Sequence, residues 1–311
     1  MKQFCVKLLI FSIGVYLICA IIDLKMTEKI RHSQVREYQI WEDIFNSRIT
    51  ADMVVLGSSR AYAHYNPEIF DSILNTDFYN LGLNGKLVDL DIFRYHQYKK
   101  YNNHQPQFIL WDIMPFSFGF SEGYGDEQFM AYIWNNDIWK EIHNSRHDIT
   151  WFDRLVPLLR YWRKNMIHTY PNAVMQVYKG YRKEYTPFDS EELNLISDNS
   201  LQCNYNSTVI GLFEKTIEEI KNDGSTVVLV FSPLYKDGQK KYRQLDVFID
   251  TVAQIASRHN CLFLNYLPST INEDSSLFKN ATHLNSIGAD VFSSLLTYDL
   301  DSIFNITTNF K

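Results

Sequence analysis

The sequence predicts an α/β protein built around a doubly wound parallel sheet of five strands. Short apolar runs alternate with amphipathic stretches of helical spacing, and glycine, proline and asparagine residues punctuate the changes between them. The 311 residues, with 46% hydrophobic and 21% charged side chains, suffice for one large domain with a sizeable core. A net charge of −6 argues against a nucleic-acid partner.

The first half of the sheet is predicted between residues 53 and 115. Met53–Leu56 is a short apolar strand, "DFYNLGLNG" is a second strand entering a glycine loop, and "QFILWDIMP" is a third strand that Pro115 ends. The stretch "NPEIFDSIL" predicts a helix with Asn66 as N-cap and Pro67 in first position. "KLVDLDIFRYHQYKKY" predicts the next helix. This βαβαβ order implies parallel strands joined by right-handed crossovers.

The alternation resumes near residue 205 and completes a flavodoxin-like sheet. "STVIGLFEKTIEEIKNDG" is an amphipathic helix ended by Gly224, "STVVLVFSP" is a strand, "RQLDVFIDTVAQIASRHN" is a helix and "CLFLNY" is the fifth strand. A final helix begins near Ser286. Between the two halves, residues 116–200 are rich in Trp, Tyr and Arg, and their spacing is mostly helical. We interpret them as a helical insertion that forms a lid or cap over one end of the sheet.

The N-terminal segment predicts a membrane anchor. "FCVKLLIFSIGVYLICAII", from Phe4 to Ile22, would form a helix of about 28 Å, close to the thickness of a bilayer's hydrocarbon core. A cleaved signal peptide is the alternative, but no small-x-small site closes the run. Lys2 and Lys7 favour an N-terminus inside the cell, whereas four basic residues after the run weaken that inference.

The predicted organisation therefore has three parts. Residues 1–24 form the signal anchor, residues 25–50 form a linker helix, and residues 51–311 form the α/β domain with its insertion. The cysteines, which are Cys5, Cys19, Cys203 and Cys261, have no metal-binding spacing, and we interpret them as unpaired structural thiols. Neither a metal nor another cofactor is expected.

The residues that could carry chemistry follow the strands, because ligands of open parallel sheets bind at the carboxyl ends of the strands. The candidates are Gly57, Ser58, Ser59, Arg60, Asn84, Gly85, Asp112, Asn280 and His283. A hydroxyl, a histidine base and the N–H groups of a glycine loop are what acyl transfer requires. Simpler readings remain open: Ser59 and Asn280 as turn residues, His283 as a helix-cap or core histidine, and Gly85 as the start of a helix.

Three stretches resemble the motifs of the SGNH/GDSL hydrolase superfamily. They are "VVLGSSRA", "YNLGLNG" and "NATHLNSIGADVFS", and the resemblance covers residues 52–300 without the insertion. It implies the SGNH hydrolase fold, Ser59 as nucleophile, His283 as base, and Gly85 in the oxyanion position. The last stretch is most similar to membrane-anchored bacterial relatives, which are distantly related to the proteins that D-alanylate teichoic acids and O-acetylate alginate.

The sequence departs from the superfamily at two positions. Asn280 stands where the family has an Asp three residues before the histidine; it can orient the imidazole through its carbonyl oxygen but supplies no negative charge. Asp274 and Asp290 are candidates to replace that charge. The third strand lacks the family's Gly-x-Asn-Asp, so Asn84 or the Ser59 N–H would have to serve as an oxyanion donor.

Two charged residues at strand ends are candidate substrate ligands. Arg60 suits a carboxylate or phosphate group, although a surface salt bridge would explain it equally well. Asp112 follows the third strand and would face the same edge of the sheet.

The resemblance implies a serine esterase or O-acyltransferase, with acetyl as the expected acyl group and acylated cell-envelope polysaccharide as the substrate. Such a protein would be a single-pass protein of the bacterial inner membrane with its soluble domain outside the cytoplasm. A membrane acyl-donor protein is a further expected partner. The alternative is a catalytically inactive SGNH-like protein that binds glycan or scaffolds envelope assembly, because the two departures remove groups on which activity depends.

Overall fold

The computed structural model describes residues 1–85, 87–121, 127–145, 149–166 and 177–309. Its contacts divide the chain into two compact units. The anchor unit combines Met1–Glu42 with Gly125–Met175, and the sheet unit combines Asp43–Tyr124 with Gln176–Lys311. The residues we predicted as one insertion are thus shared between the units.

The described strands and helices are numbered in chain order. The strands are β1 Met53–Gly57, β2 Phe78–Asn80, β3 Phe108–Asp112, β4 Val177–Tyr178, β5 Tyr181–Arg182, β6 Leu201–Gln202, β7 Thr226–Phe231, β8 Tyr242–Arg243 and β9 Leu262–Asn265. The helices are α1 Lys2–Arg31, α2 Arg36–Phe45, α3 Ser59–His64, α4 Pro67–Leu74, α5 Val88–Tyr101, α6 Glu127–Met130, α7 Asn136–Ser145, α8 Trp151–Leu155, α9 Leu159–Arg163, α10 Ser190–Leu195, α11 Ser207–Asn222, α12 Lys236–Gln239, α13 Leu245–Arg258, α14 Ser286–Phe304 and α15 Ile306–Asn309.

The sheet unit confirms the predicted fold class. Its main sheet has five strands in the order β2-β1-β3-β7-β9, and every neighbouring pair is parallel. This is the flavodoxin-like order, in which the strand sequence reverses next to β1. The five strands and the helices that connect them match the five apolar runs and the amphipathic stretches of the sequence.

Helices cover both faces of this sheet. On one face, Val55 and Val230 belong to a buried cluster with Phe70 of α4 and Phe292 of α14. Trp111 belongs to the opposite face, since its side chain alternates with that of Leu110, and its ring packs edge-on against Phe213 of α11, 4.6 Å between centroids. Strands β1, β2, β3 and β7 can therefore be apolar almost throughout, as the sequence indicates, because both of their faces are covered, whereas the edge strand β9 is half-buried.

Capping residues and a glycine mark the helix boundaries that the sequence predicts. The Asn66 side chain accepts a hydrogen bond from the Glu68 N–H at the start of α4. Asn285 caps α14 in the same way by accepting from the N–H groups of Ile287 and Gly288, both at 3.0 Å. Gly224 follows α11 with φ of +99°, in the left-handed region that glycine favours. The caps at Asn66 and Asn285 fix where the chain enters α4 and α14.

The anchor unit contains α1, which is thirty residues long. Among the described residues, α1 is the helix that is long and apolar enough to cross a membrane. Buried polar contacts hold the last turns of α1 in this unit. One of them is a bidentate ion pair between Asp23 and Arg160 of α9. The four cysteines are unpaired, as predicted.

We predict opposite effects for the same substitution in two helices. A Cβ added to Gly288 in α14 would lie 2.0 Å from the backbone oxygen of Leu277, whereas one added to Gly211 in α11 meets nothing within 4 Å. Gly288→Ala should therefore lower the free energy of unfolding by about 1–3 kcal/mol. Gly211→Ala should raise it by about 0.5–1 kcal/mol through helix propensity. Chemical denaturation of the detergent-solubilised chain measures both, and equal signs would contradict the close packing at Gly288.

Candidate active site

A sharp turn between β1 and α3 places Ser59. Gly57 ends the strand with φ of +138°, and a Cβ there would lie 2.8 Å from the Asp112 carbonyl oxygen and 2.9 Å from the Ala61 Cβ. Both the backbone conformation and the lack of space require glycine at this position. Ser58 occupies the N-cap position without a side-chain cap, and Ser59 is the first residue of the helix.

The structure brings Ser59 and His283 together. Ser59 Oγ and His283 Nε2 lie 2.8 Å apart, and on the other side of the ring His283 Nδ1 lies 3.0 Å from Asn280 Oδ1. The residues are therefore arranged as a serine, a base and an orienting group, which is the arrangement that activates a hydroxyl nucleophile.

The partners of Asn280 determine the tautomer of His283. Asn280 Oδ1 accepts the backbone N–H groups of Thr282, at 3.1 Å, and His283, at 2.9 Å, so this atom must be the oxygen of the amide. An oxygen can only accept, so the neighbouring Nδ1 carries the imidazole proton. The Thr282 hydroxyl oxygen, 2.9 Å from Nδ1, can accept the same proton, since this hydroxyl donates its own hydrogen to Asn280 Oδ1. Nε2 is then left with a lone pair directed at Ser59, as a general base requires.

Burial, together with the positive charges of Lys279 and Arg60, lowers the pKa of His283 to about 3. At neutral pH the imidazole is therefore neutral, with its proton on Nδ1, and Nε2 is ready to take a second proton. The same environment disfavours the imidazolium that then forms, because no carboxylate among the described residues touches the ring.

Neither predicted substitute supplies that carboxylate. Asp290 accepts from Asn66 Nδ2 and Lys183 Nζ, and Asp274 caps the turn at Ser276. The carboxylate of Glu192 is connected to the imidazole only through Asn280, whose Nδ2 donates to Glu192 Oε2 over 3.0 Å. That contact is exposed, so its charge is screened before it reaches the imidazole.

A cavity of about 150 Å³ opens beside Ser59 and His283. Apart from the polar groups of the site, its wall is mostly apolar; the residues around it are Ser59, Arg60, Met114, Pro115, Phe116, Leu234, Tyr242, Thr282 and His283. A cavity of this volume holds a group about the size of benzene. Small apolar groups can therefore lie against the serine.

The structure excludes one of the two alternatives for Arg60. Arg60 is 1% exposed, so the alternative of a surface salt bridge is wrong. Its Nη2 donates to Ser232 Oγ over 2.8 Å and also to the Ser232 carbonyl oxygen, while Nη1 has no hydrogen-bond partner among the described residues. Arg60 borders the cavity, and a role in substrate binding stays a prediction.

Asp112 is not among the described residues that border the cavity, and its role in substrate binding stays a prediction. It is 1% exposed, and its Oδ1 accepts from the Tyr65 hydroxyl at 2.9 Å and from the Ser232 N–H at 3.3 Å. Burial raises the pKa of this carboxyl group. Asp112 lies 3.9 Å from Arg60 Nε and thus partly offsets the buried guanidinium charge.

His64 supports the site, and the sequence reasoning missed it. Its Nε2 accepts the Leu284 N–H over 3.0 Å, so Nδ1 is protonated and donates to Ser232 Oγ over 2.8 Å. Burial and the Arg60 charge hold the pKa of His64 well below its usual value, which keeps the ring neutral. The bond to Leu284 fixes the backbone directly after His283. Only Ser232 had a sequence signal, its position after the apolar run that forms β7.

The predicted oxyanion residues lie in an exposed turn after β2. Gly85 has φ of +68°, and the Leu83 N–H donates to the Gly57 oxygen over 2.8 Å, which holds this loop beside the turn of Ser59. Asn84 and Gly85 are outside the cavity wall formed by the described residues. Their role stays a prediction. The Ser59 N–H, in the first turn of α3, has no acceptor within the helix and is a second candidate donor.

Comparisons with known proteins gave matches among solved structures only. A scan of family models and a search of curated proteins found no match. A candidate acylhydrolase from Bacteroides fragilis is 12% identical, with 81% of this chain and 86% of that chain covered and a TM-score of 0.41. A protein from Streptococcus pneumoniae described as a candidate platelet activating factor is 12% identical, with 93% and 98% covered and a TM-score of 0.45.

A third similar structure is a candidate lipolytic protein of the G-D-S-L family from Desulfitobacterium hafniense. It is 10% identical, with 79% of this chain and 97% of that chain covered and a TM-score of 0.41. Independently of these matches, the strand order of the chain, with Ser59 directly after β1 and His283 directly before α14, agrees with the predicted architecture. In its fold and in the placement of these two motifs, the chain resembles the SGNH/GDSL hydrolases.

Proposed function

We propose that the chain is a serine esterase or O-acyltransferase that works through a covalent acyl-enzyme on Ser59. The observation that carries this function is the 2.8 Å contact between Ser59 Oγ and His283 Nε2, with Nδ1 held by Asn280. A serine whose hydroxyl points at the lone pair of a neutral imidazole, beside an open cavity, is equipped for nucleophilic attack.

In the acylation step, Ser59 Oγ attacks the carbonyl carbon of an ester while His283 Nε2 takes its proton. The imidazolium then gives that proton to the departing alkoxide oxygen, so the alcohol leaves and the acyl group stays on Ser59. Asn280 Oδ1 accepts from Nδ1 throughout and keeps the ring in position. The Ser59 N–H would stabilise the oxyanion, together with donors from the loop at Asn84 and Gly85.

In the second step, a hydroxyl group takes the acyl group from Ser59, and His283 again removes the proton. With water the product is a free acid, and with a sugar hydroxyl the product is a new ester. Acylated cell-envelope polysaccharide is the substrate we infer, because the motifs resemble those of membrane-anchored bacterial relatives. An acyl-donor protein in the membrane would serve the transferase reaction, and no cofactor is needed for either step.

A short acyl group, with acetyl expected, fits the cavity. Its 150 Å³ and its contacts with Met114, Phe116 and Leu234 leave room for a few methylene groups. The apolar side chains of the wall suit an acyl chain better than a sugar ring. We therefore assign the acyl group to the cavity and the alcohol part of the ester to the open side of the site.

The second candidate function is a non-catalytic one, in which the same site binds glycan. Its support is the low pKa of His283, since Asn280 supplies no charge to stabilise the imidazolium. On this hypothesis Ser59 and His283 would still be hydrogen-bonded but would not turn over an ester.

The reactivity of Ser59 distinguishes the two functions. We predict that a fluorophosphonate probe labels the wild-type chain in detergent and that Ser59→Ala abolishes both labelling and hydrolysis of 4-nitrophenyl acetate. Ser58→Ala is the matched control, because it removes the hydroxyl next to Ser59, and the Ser58 hydroxyl makes no capping hydrogen bond to α3. Labelling that persists in Ser59→Ala, or a wild-type chain that neither labels nor hydrolyses, would refute the enzymatic function.

The identity of residue 280 should control the pH dependence. His283 acts only when neutral, and its pKa is about 3. The kcat/KM of the wild-type chain should therefore stay level as the pH falls from about 8 to about 5. Asn280→Asp adds a negative charge beside Nδ1, which raises the pKa of His283 and should increase kcat/KM by about tenfold or more at neutral pH.

Glu192 complicates the charge substitution because it would face the new carboxylate. We therefore pair Asn280→Asp with Glu192→Gln, and Glu192→Gln alone is the control. In the double variant the acid limb of the pH–rate profile should move up towards neutral pH. If neither the rate nor the limb changes, Asn280 does not act on His283 in the way the geometry indicates.

Leu234 should limit the length of the acyl chain. Its side chain is buried and borders the cavity. In Leu234→Ala the ratio of kcat/KM for 4-nitrophenyl butyrate over acetate should rise about tenfold, because the shortened side chain makes room for two methylene groups. Leu296→Ala, on the buried face of α14, creates a cavity elsewhere and should leave that ratio unchanged. An unchanged ratio in Leu234→Ala would place the acyl group outside this cavity.

A further inference from the structure

The anchor unit exposes large apolar side chains on α8 and α9. Trp151, Phe152, Leu155 and Val156 are 55%, 65%, 56% and 42% exposed, and Trp162 is 68% exposed. We call residues 151–163, which contain them, the apolar hairpin. Contiguous exposed groups of this size on a protein surface normally mark an interaction site.

Polar contacts fasten the apolar hairpin to α1. Arg160 makes a bidentate ion pair with Asp23, with 2.9 Å and 2.6 Å between nitrogen and oxygen, and both residues are buried. The Leu158 N–H donates to Asp23 Oδ2 over 2.6 Å. Further along α1, the Tyr16 hydroxyl donates to the Leu155 carbonyl oxygen over 2.9 Å. The hairpin is thus held against the apolar helix itself.

These contacts set the depth of the apolar hairpin relative to the span. Asp23 is the first charged residue after the apolar run that ends at Ile22, so it marks the boundary of the hydrocarbon core. Tyr16 lies seven residues earlier, about 10 Å deeper along the helix axis. Leu155, hydrogen-bonded to Tyr16, lies at that depth, which is where interfacial helices place their apolar side chains, about 5–10 Å into the boundary.

The aromatic and basic residues next to the apolar hairpin suit the same location. The Arg154 guanidinium lies 4.4 Å from the ring centroid of Trp139, 5.5 Å from that of Trp134 and 5.7 Å from that of Trp151. Tryptophans are enriched at the boundary between membrane and water, where the ring is buried and the polar edge stays hydrated. An arginine among them can reach lipid phosphates.

We propose that the apolar hairpin is a second membrane contact, inserted in the boundary zone of the same bilayer that α1 crosses. Its partner is the lipid itself, with Trp151, Phe152, Leu155 and Trp162 among the acyl chains and Arg154 at the headgroups. This inference depends on α1 spanning the membrane but not on the chemistry of Ser59. The anchor unit would be fixed in orientation by two elements, since a single helix can rotate about its own axis.

Tryptophan fluorescence tests this directly, because α1 contains no tryptophan and the whole chain has six. The full chain is reconstituted into phosphatidylcholine–phosphatidylglycerol vesicles with and without brominated acyl chains, which quench only tryptophans that touch lipid. We expect quenching of at least about a third of the emission, because Trp151 and Trp162, two of the six tryptophans, lie among the acyl chains. Resistance to carbonate extraction reports separately that α1 is inserted.

Matched variants assign the quenching to the apolar hairpin. The double variant Trp151→Phe/Trp162→Phe should lose most of the quenching, while Trp111→Phe, which removes a tryptophan buried in the sheet, should keep it. Wild-type chain that resists extraction but is not quenched would overturn the inference and would indicate that protein, such as a second copy, covers the hairpin. Loss of the chain on extraction would overturn it as well, because α1 would then not span.

Discussion

A buried arginine holds the geometry of the candidate active site together. Arg60 directly follows Ser59, and its guanidinium binds Ser232 at the end of β7 and lies beside Asp112 at the end of β3. Through Ser232 the network continues to His64, which in turn holds the Leu284 N–H. A charge buried in this position is costly without partners, and the arrangement that supplies Ser232 and Asp112 brings together the ends of three strands and the turn before α14. That arrangement is the one in which Ser59 meets His283.

The same charge affects the chemistry of the site. Arg60 and Lys279 both act with burial to lower the pKa of His283, so the residue that organises the site also disfavours the imidazolium. A positive field beside an apolar cavity favours groups that become negative in the reaction, such as the oxyanion of a tetrahedral intermediate. The positive charge of Arg60 therefore disfavours the imidazolium of His283 and favours the oxyanion. The balance between these two effects decides how fast an ester would react.

The sequence predicts the sheet and the pair Ser59–His283 because both follow from rules of local pattern and strand order. Apolar runs ended by Gly57 and Pro115 mark parallel strands, and parallel strands bring their carboxyl ends to one edge. The burial of Arg60 and Asp112 does not follow from these rules. Both residue types are usually exposed, and their burial depends on partners such as Ser232 that are distant along the chain. His64 was missed for the same reason. The division of residues 116–200 between the two units depends on contacts with α1, which no local sequence pattern encodes.

The replacement of an aspartate by Asn280 separates two functions that a triad normally combines. Orientation survives, because the amide oxygen is held by two backbone N–H groups and in turn fixes the proton on Nδ1. The negative charge is lost, and Glu192 offers one only through the amide and at an exposed position. Orientation determines whether Ser59 and His283 can react at all, whereas charge determines the stability of the imidazolium. Under the proposed function, a site that keeps the first and lacks the second would form and transfer the acyl-enzyme slowly, because the serine is aligned with its base while the imidazolium lacks a stabilising charge.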